Sequence, residues 1–129
     1  MLDPKKLKYM KSHEWLDLQG DAGTVGISDH AQKEITDVVF IEPPKVGRTV
    51  KQGEACCVVE SVKAAFDIYA PVSGTISRVN DAVSKSPQTV NQDCYGAGWL
   101  FAVTPGTPAD LDALMTAEAY SKQLEAEAH

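Results

Sequence analysis

Apolar positions alternate with polar ones along most of this chain, in short runs closed by Gly, Pro, Asn or Asp, and helical spacing emerges only towards the C-terminus. That pattern predicts many short strands and few helices. Leu7–Leu18 reads as extended chain broken by polar residues, and Gly20, Asp21 and Gly23 as the turn that follows. Thr24–Ser28 (TVGIS) alternates like a strand, and Ser28-Asp29 can cap a short helix over Asp29–Ile35. Asp37-Val-Val-Phe-Ile41 is a strong β run stopped by Pro43-Pro44. Lys45–Gly53 is a strand fragment between turns, and Ala55–Val59 and Ala65–Ala70 are two apolar runs at hairpin spacing. Gly74–Val79 and Trp99–Val103 are the last predicted strands. Thr107-Pro108 starts a helix with Pro at its first position, and Ala117–Ala128 is a second helix with Tyr120 and Leu124 on one face. A frame shared by Val46–Gly53 and Val79–Ser86, V-x-x-x-V, hints at two matching half-sheets. Together these features predict one mainly β domain over residues 1–129, a sandwich or barrel with short helices, the last of them C-terminal.

The hairpin carries the feature that sets this chain apart. Within residues 52–77 Lys63 is the one Lys or Arg, and it falls in the link Ser61-Val62-Lys63-Ala64 between the two apolar arms. Nothing near it in sequence would desolvate its ammonium, so it is a poor base or nucleophile. It is a good attachment point, because an enzyme can grip a rigid tip and acylate the amine. Spacing alone leaves a solvated turn lysine as the default.

Composition narrows the partners. The net charge of −6 argues against nucleic acid, which wants a basic face. No stretch has the length and apolarity of a membrane-spanning helix. Three cysteines, two of them adjacent, do not make a disulfide framework and fit a reducing compartment. A cytoplasmic protein is the simplest reading, with a mitochondrial matrix protein stripped of its transit peptide as the alternative. His13, His30 and His129 show no metal-ligand spacing, so no metal site is expected. The Gly-rich piece Tyr95–Trp99 precedes no helix and is not a nucleotide loop. Cys56 and Cys57 read as core thiols, Trp15 and Trp99 as core aromatics.

Seven stretches carry a resemblance in order along the chain: LKYMKSHEWL, TVGISDHAQ, DVVFIEPPKVG, VVESVKAAFDIYAPVSG, VNDAV, SPQTVN and YGAGWLF. They resemble the H-protein of the glycine cleavage system, from Leu7 through Tyr120. The core motif Glu60-Ser61-Val62-Lys63-Ala64 is specific to that family; related lipoyl domains usually carry Asp-Lys-Ala and biotin carriers Met-Lys-Met. The resemblance implies a lipoyl/biotinyl-type β-sandwich, a hybrid of barrel and sandwich. It implies lipoate amide-linked to Lys63 by a lipoylating enzyme. It implies a non-catalytic, monomeric shuttle. This shuttle takes an aminomethyl group from the pyridoxal-phosphate glycine decarboxylase and passes it to the tetrahydrofolate-dependent aminomethyltransferase. Its electrons go to dihydrolipoamide dehydrogenase. Some H-like proteins instead relay lipoyl groups to other complexes, which is the alternative job for the same arm.

The family's arm pocket maps onto Ser12, Glu14 and Asp67. Read as isolated residues, Glu14 is an exposed strand carboxylate and Asp67 a solvated residue on an outer face. Cys94 departs from the family, which usually has proline just before Tyr-Gly. An enzyme reading would use Cys94 as a thiol nucleophile, but no histidine lies near it in sequence.

Overall fold

The structure is a computed structural model that describes residues 2–127. Among these described residues nine strands form two antiparallel sheets. In chain order they are β1 (Lys8–Tyr9), β2 (Glu14–Gln19), β3 (Ala22–Ile27), β4 (Val38–Glu42), β5 (Thr49–Val50), β6 (Ala55–Ser61), β7 (Ala65–Tyr69), β8 (Gly74–Val79) and β9 (Phe101–Pro105). The larger sheet has the order β1-β2-β3-β9-β8-β5 and the smaller one β4-β6-β7. Among the described residues four α-helices accompany them: α1 (Asp29–Ile35), α2 (Asp81–Lys85), α3 (Thr89–Gln92) and, after the last strand, α4 (Ala117–Glu127). The expected Ala117–Ala128 helix is present as α4, Ala128 lying outside the described residues.

The sandwich is the solution the alternation demands. Leu16, Val25, Ile27, Val59, Ile68, Ile76, Phe101 and Val103 share one buried cluster between the sheets, and burial of such side chains is the main drive to fold. Adjacent Cys56 and Cys57 are both buried although neighbours on a strand point to opposite faces. A register shift between Ala55 and Cys57 against β7 reconciles the two. A second cluster, Leu7, Tyr9, Trp15 and Tyr120, fastens α4 to the N-terminal strands. Trp15 needs a bare backbone opposite it: a Cβ on Gly26 would lie 2.5 Å from the indole ring.

The helix over Asp29–Ile35 forms as predicted, and the Ser28 hydroxyl accepts from the Ala31 N–H at 3.2 Å. Three expectations change. The V-x-x-x-V echo is not structural: Val50 ends a two-residue strand, whereas Val83 sits within helix α2. Asn80 causes the difference, because its side chain caps Ala82 N–H at 3.1 Å. The segment after Thr107 is a 3-10 helix over Pro108–Ala113, not an α-helix. Asp110 fixes it to the sandwich by accepting from Ser73 N–H at 2.7 Å and from the Gln52 side chain, through its carbonyl, at 2.8 Å. Helix α3 lies in a stretch for which no element was expected.

Candidate functional site

Lys63 stands exposed in the three-residue link, Val62-Lys63-Ala64, between β6 and β7. The link is tightly built. Ser61 N–H donates to the Ala64 carbonyl at 2.8 Å. The Ser61 hydroxyl accepts from the N–H groups of Lys63 and Ala64, each at 3.2 Å, and reaches the Ala64 carbonyl at the same distance. Val62 N–H donates to the Asp37 carbonyl at 3.1 Å, which ties the tip to the start of β4. The Ser61 hydroxyl thus satisfies two of the turn's N–H groups, and the lysine side chain stays exposed. Sequence reasoning quoted Ser61 only as part of a motif; serine at the first position of a turn was the available signal.

Two of the three pocket residues meet at one small cavity. Ser12, His13, Glu34, Phe66, Asp67 and Ile68 line it, with Ile27, Ala31 and Ile35 behind, and its volume is about 100 Å³. A water needs roughly 10–15 Å³ on that measure, so several heavy atoms fit. Asp67 is exposed at the rim and also borders a second, more open hollow that holds Arg48 and Glu42. Glu14 is not among the lining residues. It is 1% exposed, not the solvated strand carboxylate its isolated reading suggested. Its two oxygens accept from the Ser12 hydroxyl and from Tyr69 N–H, the latter at 2.8 Å. Burial pushes its carboxyl above the usual range, and the two hydrogen bonds work against that rise. Glu14 therefore reaches the cavity through Ser12.

The cavity's other polar wall was not expected from the sequence. His13, in a left-handed turn conformation with φ 81°, has Nδ1 2.7 Å from the Tyr120 hydroxyl, which lies 2.6 Å from the Ser28 hydroxyl. Ser28 caps α1, and α1 supplies Ala31, Glu34 and Ile35 to the cavity. Tyr120 thus joins the turn bearing Ser12 to the helix on the opposite wall. Its ring stacks on Tyr9 at 4.3 Å, and burial pushes its hydroxyl up to about 12. His13 and His30, distant in sequence, lie with ring centroids 4.9 Å apart. Burial lowers the His13 pKa, which favours the neutral ring. His129 lies outside the described residues. Among the described residues no group of three or more His, Cys, Asp or Glu is placed to hold a metal ion.

The cysteines are inert. Cys94 is 6% exposed and its thiol is pushed up to about 12 by burial, which is the opposite of an activated nucleophile. Its carbonyl accepts from the Trp15 indole at 3.1 Å. Trp15 is fully buried as expected, whereas Trp99 is half-buried beneath the Arg78 guanidinium, 5.0 Å from its ring.

Comparison with known proteins gives one answer. The family model described as Glycine cleavage H-protein matches residues 7–127. The glycine cleavage system H protein of Thiobacillus denitrificans is 56% identical over 127 residues, 98% of each chain. That of Thermus thermophilus is 54% identical over 125 residues, 97% of this chain and 98% of its own. A crystal structure of the H protein from Mycobacterium marinum superposes with a TM-score of 0.85 at 40% identity, covering 95% of this chain and 99% of that one. Matches of this extent, to protein and to fold alike, show that the chain belongs to the glycine cleavage H-protein family.

Proposed function

We propose that this chain is a non-catalytic carrier that bears lipoate on Lys63 and moves an aminomethyl group between enzymes of glycine cleavage. The observation that supports it most is the pairing of an exposed lysine on a clamped tip with a carboxylate-flanked cavity on the adjoining strand. Lipoate in amide linkage supplies a disulfide that can take up the aminomethyl group and electrons and release them again. The residues present fit that group. Lys63 is accessible to a lipoylating enzyme, and its amine has no ion-pair partner among the described residues. Asp67 lies four residues after Lys63, the first of them, Ala64, still in the turn, so the two Cα atoms are at most roughly 13 Å apart at about 3.3 Å per residue, a span that an acylated lysine covers.

In this reading the chain's own residues protect the cargo from water. A protonated amine in the cavity meets Asp67 at the rim and, through Ser12, the buried Glu14. The amine's charge offsets the desolvation that raises the Glu14 pKa, and each charge-assisted hydrogen bond contributes about 1.5–3 kcal/mol before solvent screening. Phe66, Ile68 and Ile27 exclude water from the other sides. The partners are the pyridoxal-phosphate glycine decarboxylase, the tetrahydrofolate-dependent aminomethyltransferase and dihydrolipoamide dehydrogenase, each visited in turn by a monomer. Three buried reduced thiols suit a reducing compartment such as the bacterial cytoplasm.

Intact mass of the native protein tests the attachment: one lipoyl group should map to Lys63. The pocket is tested with Glu14→Gln and Asp67→Asn carriers, loaded by the decarboxylase and followed without the aminomethyltransferase. Both should release ammonia faster than wild type while lipoylation at Lys63 is unchanged. Release at the wild-type rate in both variants sinks the pocket.

A further inference from the structure

Two consecutive apolar side chains, Val39 and Phe40, are exposed on the edge strand β4, at 53% and 49%, and Val62 beside Lys63 is 69% exposed. Simple alternation would turn one of the first two inward. The register shift between Val38 and Phe40 against β6 breaks that alternation, and bulges re-aim side chains in this way. The backbone joins the three into one patch. Val62 N–H bonds the Asp37 carbonyl, Val38 stands opposite Ser61, and Phe40 stands opposite Glu60. An apolar edge strand is an aggregation hazard that soluble proteins ordinarily blunt with charge or cover. Here it is left open next to the one lysine that the family reading modifies.

The rim of the patch is acidic. Residues 34–44 and 52–77 contain no Lys or Arg except Lys63. Asp37 and Glu42 are exposed and Glu60 is half-buried, and among the described residues none of them joins an ion pair. The complement is a surface with an apolar recess edged by Lys and Arg. A second copy of this chain is a poor match, because a two-fold contact would set acid against acid on a chain of net charge −6.

We infer that Val39, Phe40 and Val62, within the rim of Asp37, Glu42 and Glu60, form the docking face for the enzyme that acylates Lys63, and that this enzyme offers a basic-edged apolar recess. The inference rests on the reading of Lys63 as the acyl acceptor. In the transfer, the bond from Lys63 Nζ to the acyl carbon forms as the bond from that carbon to its activating phosphate or thiol breaks, and Nζ gives up a proton. Because Val62 adjoins the acceptor and β4 is fixed to the tip, docking on this face presents the amine from one direction.

The test uses unmodified carrier with a purified lipoate–protein ligase, ATP and lipoate. Binding is read by calorimetry and acylation by intact mass. Val39→Ser/Phe40→Ser should raise both Kd and KM for the carrier about tenfold with kcat unchanged, the loss expected of central apolar anchors. Glu42→Lys, a change at an exposed position, should also weaken binding, and more so at low salt than at physiological salt. It keeps the test decisive if the double variant melts early. Unchanged Kd and KM in both variants overturn the docking face. So does a wild-type dimer that the double variant dissolves, since the patch would then serve self-association. A wild-type chain that gains no acyl mass at Lys63 overturns the reading of the lysine itself, whereas normal acylation of both variants overturns only the face.

Discussion

The hairpin tip and the cavity solve opposite problems. At the tip, the backbone N–H groups of Ser61, Val62, Lys63 and Ala64 are satisfied within the turn and by the Asp37 carbonyl, and the Lys63 side chain stays exposed. At the cavity, charge and hydrogen-bonding groups are drawn inward: Glu14 at 1% exposure, and a chain of contacts from His13 through Tyr120 to Ser28. The tip is held mostly by bonds within Ser61–Ala64, with one longer tie from Val62 to Asp37. The cavity is held by bonds that span the sequence, Tyr69 to Glu14 and Tyr120 to His13. A site for attachment needs only a rigid, exposed turn. A site for shelter needs walls from distant segments, and its stability depends on the whole fold.

That contrast can be broken from either side. Lys63→Arg should abolish lipoylation entirely with the thermal midpoint unchanged; a lipoyl mass that moves to another lysine would falsify the tip as the unique acceptor. Val59→Asp puts a charge at a position of zero exposure on the hairpin arm, which should cost several kcal/mol and slow lipoylation through a distorted tip. Normal melting and normal modification would show that the arm does not support the tip. Tyr120→Phe keeps the ring on Tyr9 but removes the hydroxyl shared by His13 and Ser28. It should cost about 1–2 kcal/mol in urea denaturation and hasten ammonia loss from loaded carrier, with Lys63 lipoylated at the wild-type rate. If the tip is affected instead, the two regions are not independent.

The smallest effect concerns pH. Burial raises the Glu14 pKa in the folded chain. Its contribution to stability is therefore full below the unfolded glutamate value, about 4.3, and is lost as pH rises through the folded value. The stability of wild type relative to Glu14→Gln should decline over that rise, as measured by urea denaturation at each pH. A constant difference would mean that Ser12 and Tyr69 fully compensate the burial.

Local signals in the sequence reached the local structures. The hairpin, the Ser28 cap of α1 and the Gly74–Val79 strand were legible because alternation, capping residues and turn residues lie within a few positions of one another. The Asn80 cap was legible in principle and was misread as part of a repeat. What could not be read was convergence. Nothing local brings Tyr120 onto His13, or buries Glu14 beneath Ser12, because those contacts depend on how α4 and β7 pack against the N-terminal turn. Ser12, Glu14 and Asp67 came to attention only through family resemblance, and the structure adds that Glu14 acts at one remove from the cavity.

The buried cysteines bear on redox traffic. Any arm that cycles between disulfide and dithiol is exposed to exchange with neighbouring thiolates, and the attacking species is the thiolate. Cys56, Cys57 and Cys94 are all buried, with thiols pushed up to about 11, 12 and 12. Raised thiol pKa values leave little thiolate at neutral pH to exchange with the disulfide of the proposed lipoyl arm. The three scaffold thiols are set apart from such exchange by burial, and a thiol-specific dye added to the folded, lipoylated and reduced carrier of the proposed function should count the two sulfurs of the arm alone.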